Sequence, residues 1–338
     1  MSTPLTINPP LRLVFLGSDP IALPLLGLLA DGGRDLARVV AIYTQPDRPA
    51  GRGQRLRPNA VKQWGLAHGL PVRQPVRLRE ADRIQLAADR ADFALVMAYG
   101  QILREEFIAA PRFGTLNLHT SLLPKYRGAS PIPTAIACGE RKTGVTLMRI
   151  VRRVDAGPVA GHETVEIGEL DTAAAVTAKL AAACVPLLGR SLPLLALGRL
   201  EFSPQDEAAA TWCRKLRKED GQLDFSAPAA ALAARINGLF PWPACRFELN
   251  GEPIKVGLAD VPAPSVSAGY QAGVMGEVLG ADPAGLLVAT GSGPLRLRRL
   301  QRAGGKMLAA AAFLRGYPIA TSVRLISHPM PPLPVESR

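Results

Sequence analysis

A chain of 338 residues with 48% hydrophobic and 5% aromatic content is long enough for two domains and too apolar for disorder or a fibrous repeat. Its formal charge of +12, from 40 basic against 28 acidic side chains, favours an anionic partner, either nucleic acid or an acidic membrane face. The four cysteines, Cys138, Cys184, Cys213 and Cys245, form no CxxC pair, which argues against a disulfide framework or a zinc site and suits a reducing compartment.

The N-terminus, Met1–Pro10, has no basic start followed by an apolar stretch, so no secretory signal is expected. Leu11–Leu16 reads as a short strand stopped by Gly17. Ile21–Leu29 is leucine-rich and reads as a helix ending at Asp31-Gly32-Gly33. Val39–Tyr43 is a second strand, and a helical piece follows from Val61 to His68, closed by Gly69. Phe93–Ala98, Thr115–His119 and Gly144–Ile150 are three more strands. Strands alternating with helices imply a mostly parallel sheet covered on both faces, an α/β domain. Ligands of such sheets lie beyond the carboxyl ends of the strands, where Gly17, Gly100 and His119 fall. An alanine-rich helix, Thr172–Arg190, leads into a less regular linker up to about Ala210.

The pattern then changes. Short runs at 246–249, 254–256, 276–279, 286–288 and 295–300, separated by Gly, Pro and Asp, suggest a small barrel or sandwich. Pro262–Gly273 reads as a loop and Pro329–Arg338 as a loose tail. No apolar run approaches the roughly 20 residues that cross a bilayer, so no membrane partner is expected. His162 and His328 have no second ligand at metal spacing, so no metal is expected either.

The sharpest local signal is Asn117-Leu118-His119. Residues two apart on a strand share a face, so an amide and an imidazole point together while Leu116 and Leu118 point to the core. Downstream, Ser121-Leu122-Leu123-Pro124-Lys125-Tyr126-Arg127-Gly128 forms a loop, and Ser130-Pro131 starts a helix with Ser130 as its cap. After the next strand comes Val154-Asp155-Ala156-Gly157-Pro158, where Asp155 alone would read as a turn residue.

Together these segments resemble the N10-formyltetrahydrofolate-dependent formyltransferases, whose signature has an Asn-x-His pair, a Ser-Leu-Leu-Pro-x-x-Arg-Gly loop and a later Asp-x-Gly in this order. The resemblance runs from Leu11 to about Phe313. It implies that Asn117, His119 and Asp155 are catalytic. When an amine attacks the formyl carbon, Asn117 and His119 would donate to the oxyanion; losing one such donor typically costs about 3–4 kcal/mol. Asp155 would orient His119, and imidazole, which titrates near neutrality, would relay a proton. The co-substrate implied is 10-formyltetrahydrofolate. It would lie along Met97-Ala98-Tyr99-Gly100-Gln101-Ile102-Leu103, with Ile102 and Leu103 as an apolar wall, and against Ser121, Leu122, Leu123 and Pro124. Three places depart from the family's usual pattern: Gly17-Ser18-Asp19-Pro20-Ile21, Lys125-Tyr126 and the tail after Tyr317.

The acceptor is read from other segments. Thr44–Pro58 carries Arg48, Arg52, Arg55 and Arg57 with one aspartate, and arginine suits phosphate. This loop is similar to one in the family members that act on methionyl-tRNA, where it enters the acceptor stem. The run Arg214-Lys215-Leu216-Arg217-Lys218 matches the second domain of those members, as do Asp224-Phe225-Ser226, Phe240-Pro241-Trp242-Pro243 and 289–307. Arg296 and Arg298 alternate with Leu295 and Leu297, and Arg302 and Lys306 extend the charge, which suits an oligonucleotide-binding barrel on a phosphate backbone.

The resemblance thus implies a Rossmann-like, mostly parallel α/β domain over 1–190 and a linker over 191–209. An OB-fold-like β-barrel that binds tRNA would occupy 210–325, before a tail over 326–338. It implies a cytoplasmic monomer that formylates initiator methionyl-tRNA. The alternative is the same chemistry on a sugar nucleotide or glycinamide ribonucleotide; a non-catalytic RNA-binding protein would have no use for all three polar residues.

Overall fold

The structure, a computed structural model, describes residues 9–31, 35–50, 53, 55–267 and 273–335. The chain divides into two compact units: Met1–Arg127 with Gly144–Val165 and Ala178–Ala210, and Gly128–Thr143 with Glu166–Thr177 and Thr211–Arg338.

The first unit is built on strands β1 (Leu11–Gly17), β2 (Ala37–Tyr43), β3 (Arg48–Ala50), β4 (Arg55–Arg57), β5 (Val72–Arg73), β6 (Phe93–Met97), β7 (Thr115–His119), β8 (Arg127–Gly128), β9 (Lys142–Arg149) and β10 (Val159–Glu166). Seven of them form one sheet in the order β10-β9-β7-β6-β1-β2-β5, with β3 and β4 as a separate hairpin. β1 runs parallel to β2 and β6, and β6 parallel to β7, while β9 runs antiparallel to β7. Central strands such as β6 are buried along their whole length, which is why they read as unbroken apolar runs. Edge strand β10, Val-Ala-Gly-His-Glu-Thr-Val-Glu, alternates half-buried and exposed residues, and its mixed composition hid it from the sequence reading. Asn59 caps the helix Ala60–Ala67 by accepting from the Lys62 amide at 3.0 Å.

The helix Ala173–Ala196 extends past the expected end at Arg190. Its last turns carry Leu192 and Leu195, 1% and 3% exposed, and this burial overrides the break that Pro193 signals. By length and composition alone this helix is apolar enough to cross a bilayer, which corrects the expectation that no such run exists. Its stripe Leu180, Cys184, Leu187 and Leu188 is fully buried in the protein.

The second unit holds β11 (Trp212–Cys213), β12 (Cys245–Leu249), β13 (Glu252–Asp260), β14 (Val278–Asp282), β15 (Gly285–Ala289), β16 (Pro294–Gln301), β17 (Leu308–Ala309) and β18 (Pro334–Val335). An antiparallel curled sheet, a half-barrel, runs β12-β13-β16-β15-β14, with β17 beside β16. β12 turns into β13 at Asn250-Gly251, both with positive φ (52° and 76°), the residue pair a tight hairpin favours. Phe225, Leu232, Ile236, Phe247, Val256 and Leu297 form its core with no more than 1% exposure. The helix Ala229–Leu239 approaches the helix Pro131–Ala137 at Gly238, where a Cβ would lie 2.6 Å from the Ala137 nitrogen. Ser130 occupies the cap position expected of it, but its side chain makes no capping bond; Pro131 alone marks the start.

The expected loose tail is docked as far as residue 335. Arg235 and Arg214 each donate to its carbonyls, at Pro331 and Pro332 (both 2.9 Å), Leu333 is buried, and β18 pairs with β11. Of the expected loop 262–273, Pro264–Ser267 is a helical turn and 268–272 lie outside the described residues.

Burial pushes the carboxyls of Asp220, Asp260 and Asp282 up, yet hydrogen bonds from Arg214 and Arg296 and the charges beside them outweigh it and hold all three below the usual carboxylate range. A carboxyl depressed in the folded state contributes stability above its unfolded pKa and loses it as pH falls through the folded value. The urea midpoint is therefore expected to hold from neutrality to about pH 4 and to drop below it. An acid-independent midpoint would contradict this.

Candidate active site

Parallel pairing brings the carboxyl ends of β1, β2, β6 and β7 to one edge of the first unit. The ends are tied together by polar contacts. The Ser18 amide donates to the Ala98 carbonyl at 3.2 Å, and the Ser18 hydroxyl accepts from the Gln45 amide at 3.0 Å. The Gln45 side chain in turn donates to the Tyr99 carbonyl at 3.0 Å. A Cβ at Gly17 would sit 2.7 Å from the Met97 carbonyl, so only glycine admits this approach. Ala98, Tyr126 and Asp155 take left-handed φ values of 50°, 58° and 49°. Such conformations persist in non-glycine residues only where their surroundings over-determine them.

Asn117 and His119 share a face of β7, while Leu116 and Leu118 are 1% and 2% exposed on the other. His119 is buried. Its Nε2 lies 3.0 Å from the Tyr126 carbonyl and its Nδ1 3.6 Å from Asp155 Oδ2. A carbonyl only accepts, so Nε2 carries its hydrogen there and Nδ1 faces the carboxylate. Both ring nitrogens therefore face acceptors of the chain. The Asn117 amide is half-buried and bonds no described side chain or backbone group, leaving it the available donor. Of the expected trio, His119 and Asp155 stand 3.6 Å apart and Asn117 shares the face of β7 with His119, all in one unit.

Residues 11–190 match the family model described as formyl transferase, and 215–318 match its C-terminal domain. The chain belongs to the formyl transferase family. It is 43% identical over 300 residues to the methionyl-tRNA formyltransferase of Pseudomonas fluorescens (strain SBW25), covering 88% of this chain and 92% of that protein. It is 40% identical over 313 residues to that of Methylococcus capsulatus, covering 92% and 98%. Among solved structures it is similar to WlaRD, a sugar 3N-formyl transferase, with a TM-score of 0.63 at 14% identity over 88% of this chain and 99% of that one. HypX from Aquifex aeolicus in complex with tetrahydrofolic acid gives 0.60 at 17% identity, over 90% of this chain but 47% of HypX. At such identities the likeness is one of fold.

In this formyl transferase the expected folate segment divides by side chain. Met97, Tyr99 and Leu103 are buried, and the latter two pack in a core cluster with Leu86, Phe107 and Ile108, so they offer main chain only. The expected apolar wall reduces to Ile102, which is 82% exposed. Gln101 donates to the Pro75 carbonyl at 2.9 Å. Ser121 is buried and organises its own loop: its hydroxyl donates to the Lys125 carbonyl at 2.6 Å, and the Thr146 hydroxyl donates to the Ser121 carbonyl at 2.6 Å. Leu122, Leu123 and Pro124 are half-buried.

The basic residues divide similarly. Arg296 (13% exposed) is held between Asp260 and Asp282, Arg298 pairs with Asp260, Arg214 with Asp220 and Arg302 with Glu252. Their charge is neutralised within the second unit, which sets them apart from the exposed Lys215, Arg217, Lys218 and Lys306, which have no ion pair among the described residues. In the hairpin, Arg48 stands directly opposite Arg57, and Ala50 opposite Arg55; Arg52 lies outside the described residues. The hairpin's base is fixed by Asp47, which accepts from Lys62 and Gln74, both at 2.8 Å. Sequence reasoning missed Ser18, Gln45, Asn59 and Gln205 as organisers of the edge. Gln205 falls in a stretch without motif or periodicity, so nothing in the sequence marks it.

Proposed function

We propose that this chain transfers the formyl group of 10-formyltetrahydrofolate to the α-amino group of initiator methionyl-tRNA, as a cytoplasmic monomer. The observation carrying this reading is the His119–Asp155 pair beside an unpaired Asn117 amide. The same edge presents Ile102, which fits an amphipathic co-substrate with an apolar ring system and a polar one-carbon group. Gly100, Gln101, Ile102 and the Ser121–Pro124 loop would hold it, and it supplies the formyl carbon. Asn117 donates to the formyl oxygen as negative charge develops there. His119, whose Nε2 hydrogen is held by the Tyr126 carbonyl, takes at Nδ1 the proton that the attacking amine loses and passes it to the departing nitrogen. Asp155 stabilises the charged imidazole in between.

The acceptor reading rests on relatives at 40–43% identity and on charge. Like charges directly opposite on a hairpin repel, and a phosphate between Arg48 and Arg57 would relieve that. On the second unit, Lys215, Arg217, Lys218 and Lys306 would carry phosphate contact, in preference to the paired Arg214, Arg296, Arg298 and Arg302. We place catalysis in the 1–190 domain and tRNA binding largely in 210–325.

The deciding experiment supplies formyl-labelled 10-formyltetrahydrofolate with methionyl-tRNA and, separately, amino-sugar nucleotides and glycinamide ribonucleotide. Label on methionine alone is expected. Label on a small amine at equal rate would give the reaction to that acceptor, and tRNA binding without transfer would leave an RNA-binding protein. If about six phosphates are contacted, affinity should fall about 1,000-fold between 50 and 200 mM salt. A flat response would remove the phosphate contacts.

A further inference from the structure

We infer that Gln205 is a positioning residue for the proton relay: with Arg127 it fixes the main chain of Asp155, and thereby the carboxylate that faces His119. This rests on the reading of Asn117, His119 and Asp155 as the reacting site. The Gln205 amide nitrogen donates to two carbonyls of one loop, Asp155 at 2.9 Å and Gly157 at 2.7 Å. Its oxygen accepts from Arg127 Nε at 3.0 Å and Nη2 at 2.8 Å. The amide thus uses both donors and both acceptor positions.

Arg127 is fully buried and also grips Glu207 through Nη1 and Nη2, at 3.1 and 2.9 Å. Glu207 returns to the same loop through Arg153 at 2.8 Å. Between the two carbonyls that Gln205 binds, the chain is pinched against β9: a Cβ at Gly157 would lie 1.8 Å from the Arg149 carbonyl. Asp155 is held left-handed there, and losing Gln205 would take its donors from the Asp155 and Gly157 carbonyls in a confined loop. Tyr126, whose carbonyl takes His119 Nε2, immediately precedes Arg127. One guanidinium therefore anchors the loops on both sides of the imidazole.

The test uses Gln205→Glu, which keeps an acceptor for Arg127 and removes both donors to the Asp155 loop. Formyl transfer to methionyl-tRNA is measured in the full chain, alone and in an Asp155→Ala background. The expected result is a fall in kcat of about 100-fold from small misplacement of the carboxylate, with KM for methionyl-tRNA within about 2-fold. In the Asp155→Ala background the further loss should vanish, because Gln205 acts through that side chain. A kcat within about 2-fold of the parent, or a loss that adds in full to Asp155→Ala, overturns the inference. Should Gln205→Glu fail to fold, Gln205→Met, close in size and without donors, is read in the same cycle. If the parent itself transfers no formyl group, the functional reading fails separately. The 15N shifts of the His119 imidazole, one of four histidines, then decide the positioning: moved by Gln205→Glu they support it, unmoved they overturn it.

Discussion

Replacing His119 with alanine is expected to lower kcat by about 1,000-fold while leaving tRNA affinity within about 2-fold, since a positioned acid–base group typically contributes 100- to 10,000-fold. His119 is buried and faces Asp155 Oδ2 at 3.6 Å. Its removal leaves the carboxylate with no imidazole to stabilise and takes the imidazole donor from the Tyr126 carbonyl. None of the exposed basic residues assigned to phosphate contact touches it, so binding should survive. Rates and filter-binding affinity measured on the same preparation separate the two effects. Turnover within tenfold of the parent would take His119 out of proton transfer and leave Asn117 as the main contributor.

What the sequence made legible was whatever repeats with a period or carries a rigid motif. β6 is legible because a parallel strand buried on both sides is an unbroken apolar run, and β7 because its two-residue alternation puts Asn117 and His119 on one face. Edge strand β10 escapes because exposure on one side dilutes its pattern, and the helix Ala229–Leu239 because Arg235, Asn237 and Gly238 interrupt the apolar stripe although all three are buried. The end of the helix Ala173–Ala196 was misjudged because local breakers outweighed burial that only tertiary packing reveals. The site itself was legible in residue type but not in partnership. Tyr99 and Leu103 lie in a motif that lines the edge, yet beyond the end of β6 their side chains pack into the core, which no strand period predicts. Gln205 lies 50 residues from Asp155, and no spacing rule connects a lone amide to a carbonyl that far away. Charge behaved likewise. An alternating Arg-Leu strand announces a basic face, but the aspartates that neutralise it stand on β13 and β14.

That last point separates two kinds of arginine by experiment. Arg296→Met is expected to destabilise the chain by about 3 kcal/mol, because removing one partner of a largely buried ion pair leaves the other uncompensated. Arg296 donates to both oxygens of Asp260 at 2.9 and 2.6 Å and to Asp282 at 2.9 Å, linking β16 to β13 and to the end of β14. Arg298 keeps one bond to Asp260 at 2.9 Å, so Asp282 is left more exposed to the loss than Asp260. The urea midpoint reads this directly, while tRNA affinity below the transition should change by about 2-fold or less. The triple replacement of Lys215, Arg217 and Lys218 with alanine should show the reverse. Its stability should stay within about 0.5 kcal/mol, as for surface positions generally, and the slope of log affinity against log salt should shrink by about 2.7 if each residue meets one phosphate. Were Arg296→Met to keep full stability and lose salt-dependent affinity, its guanidinium would be reaching RNA rather than bracing the half-barrel, and the division between structural and RNA-facing arginines would have to be redrawn.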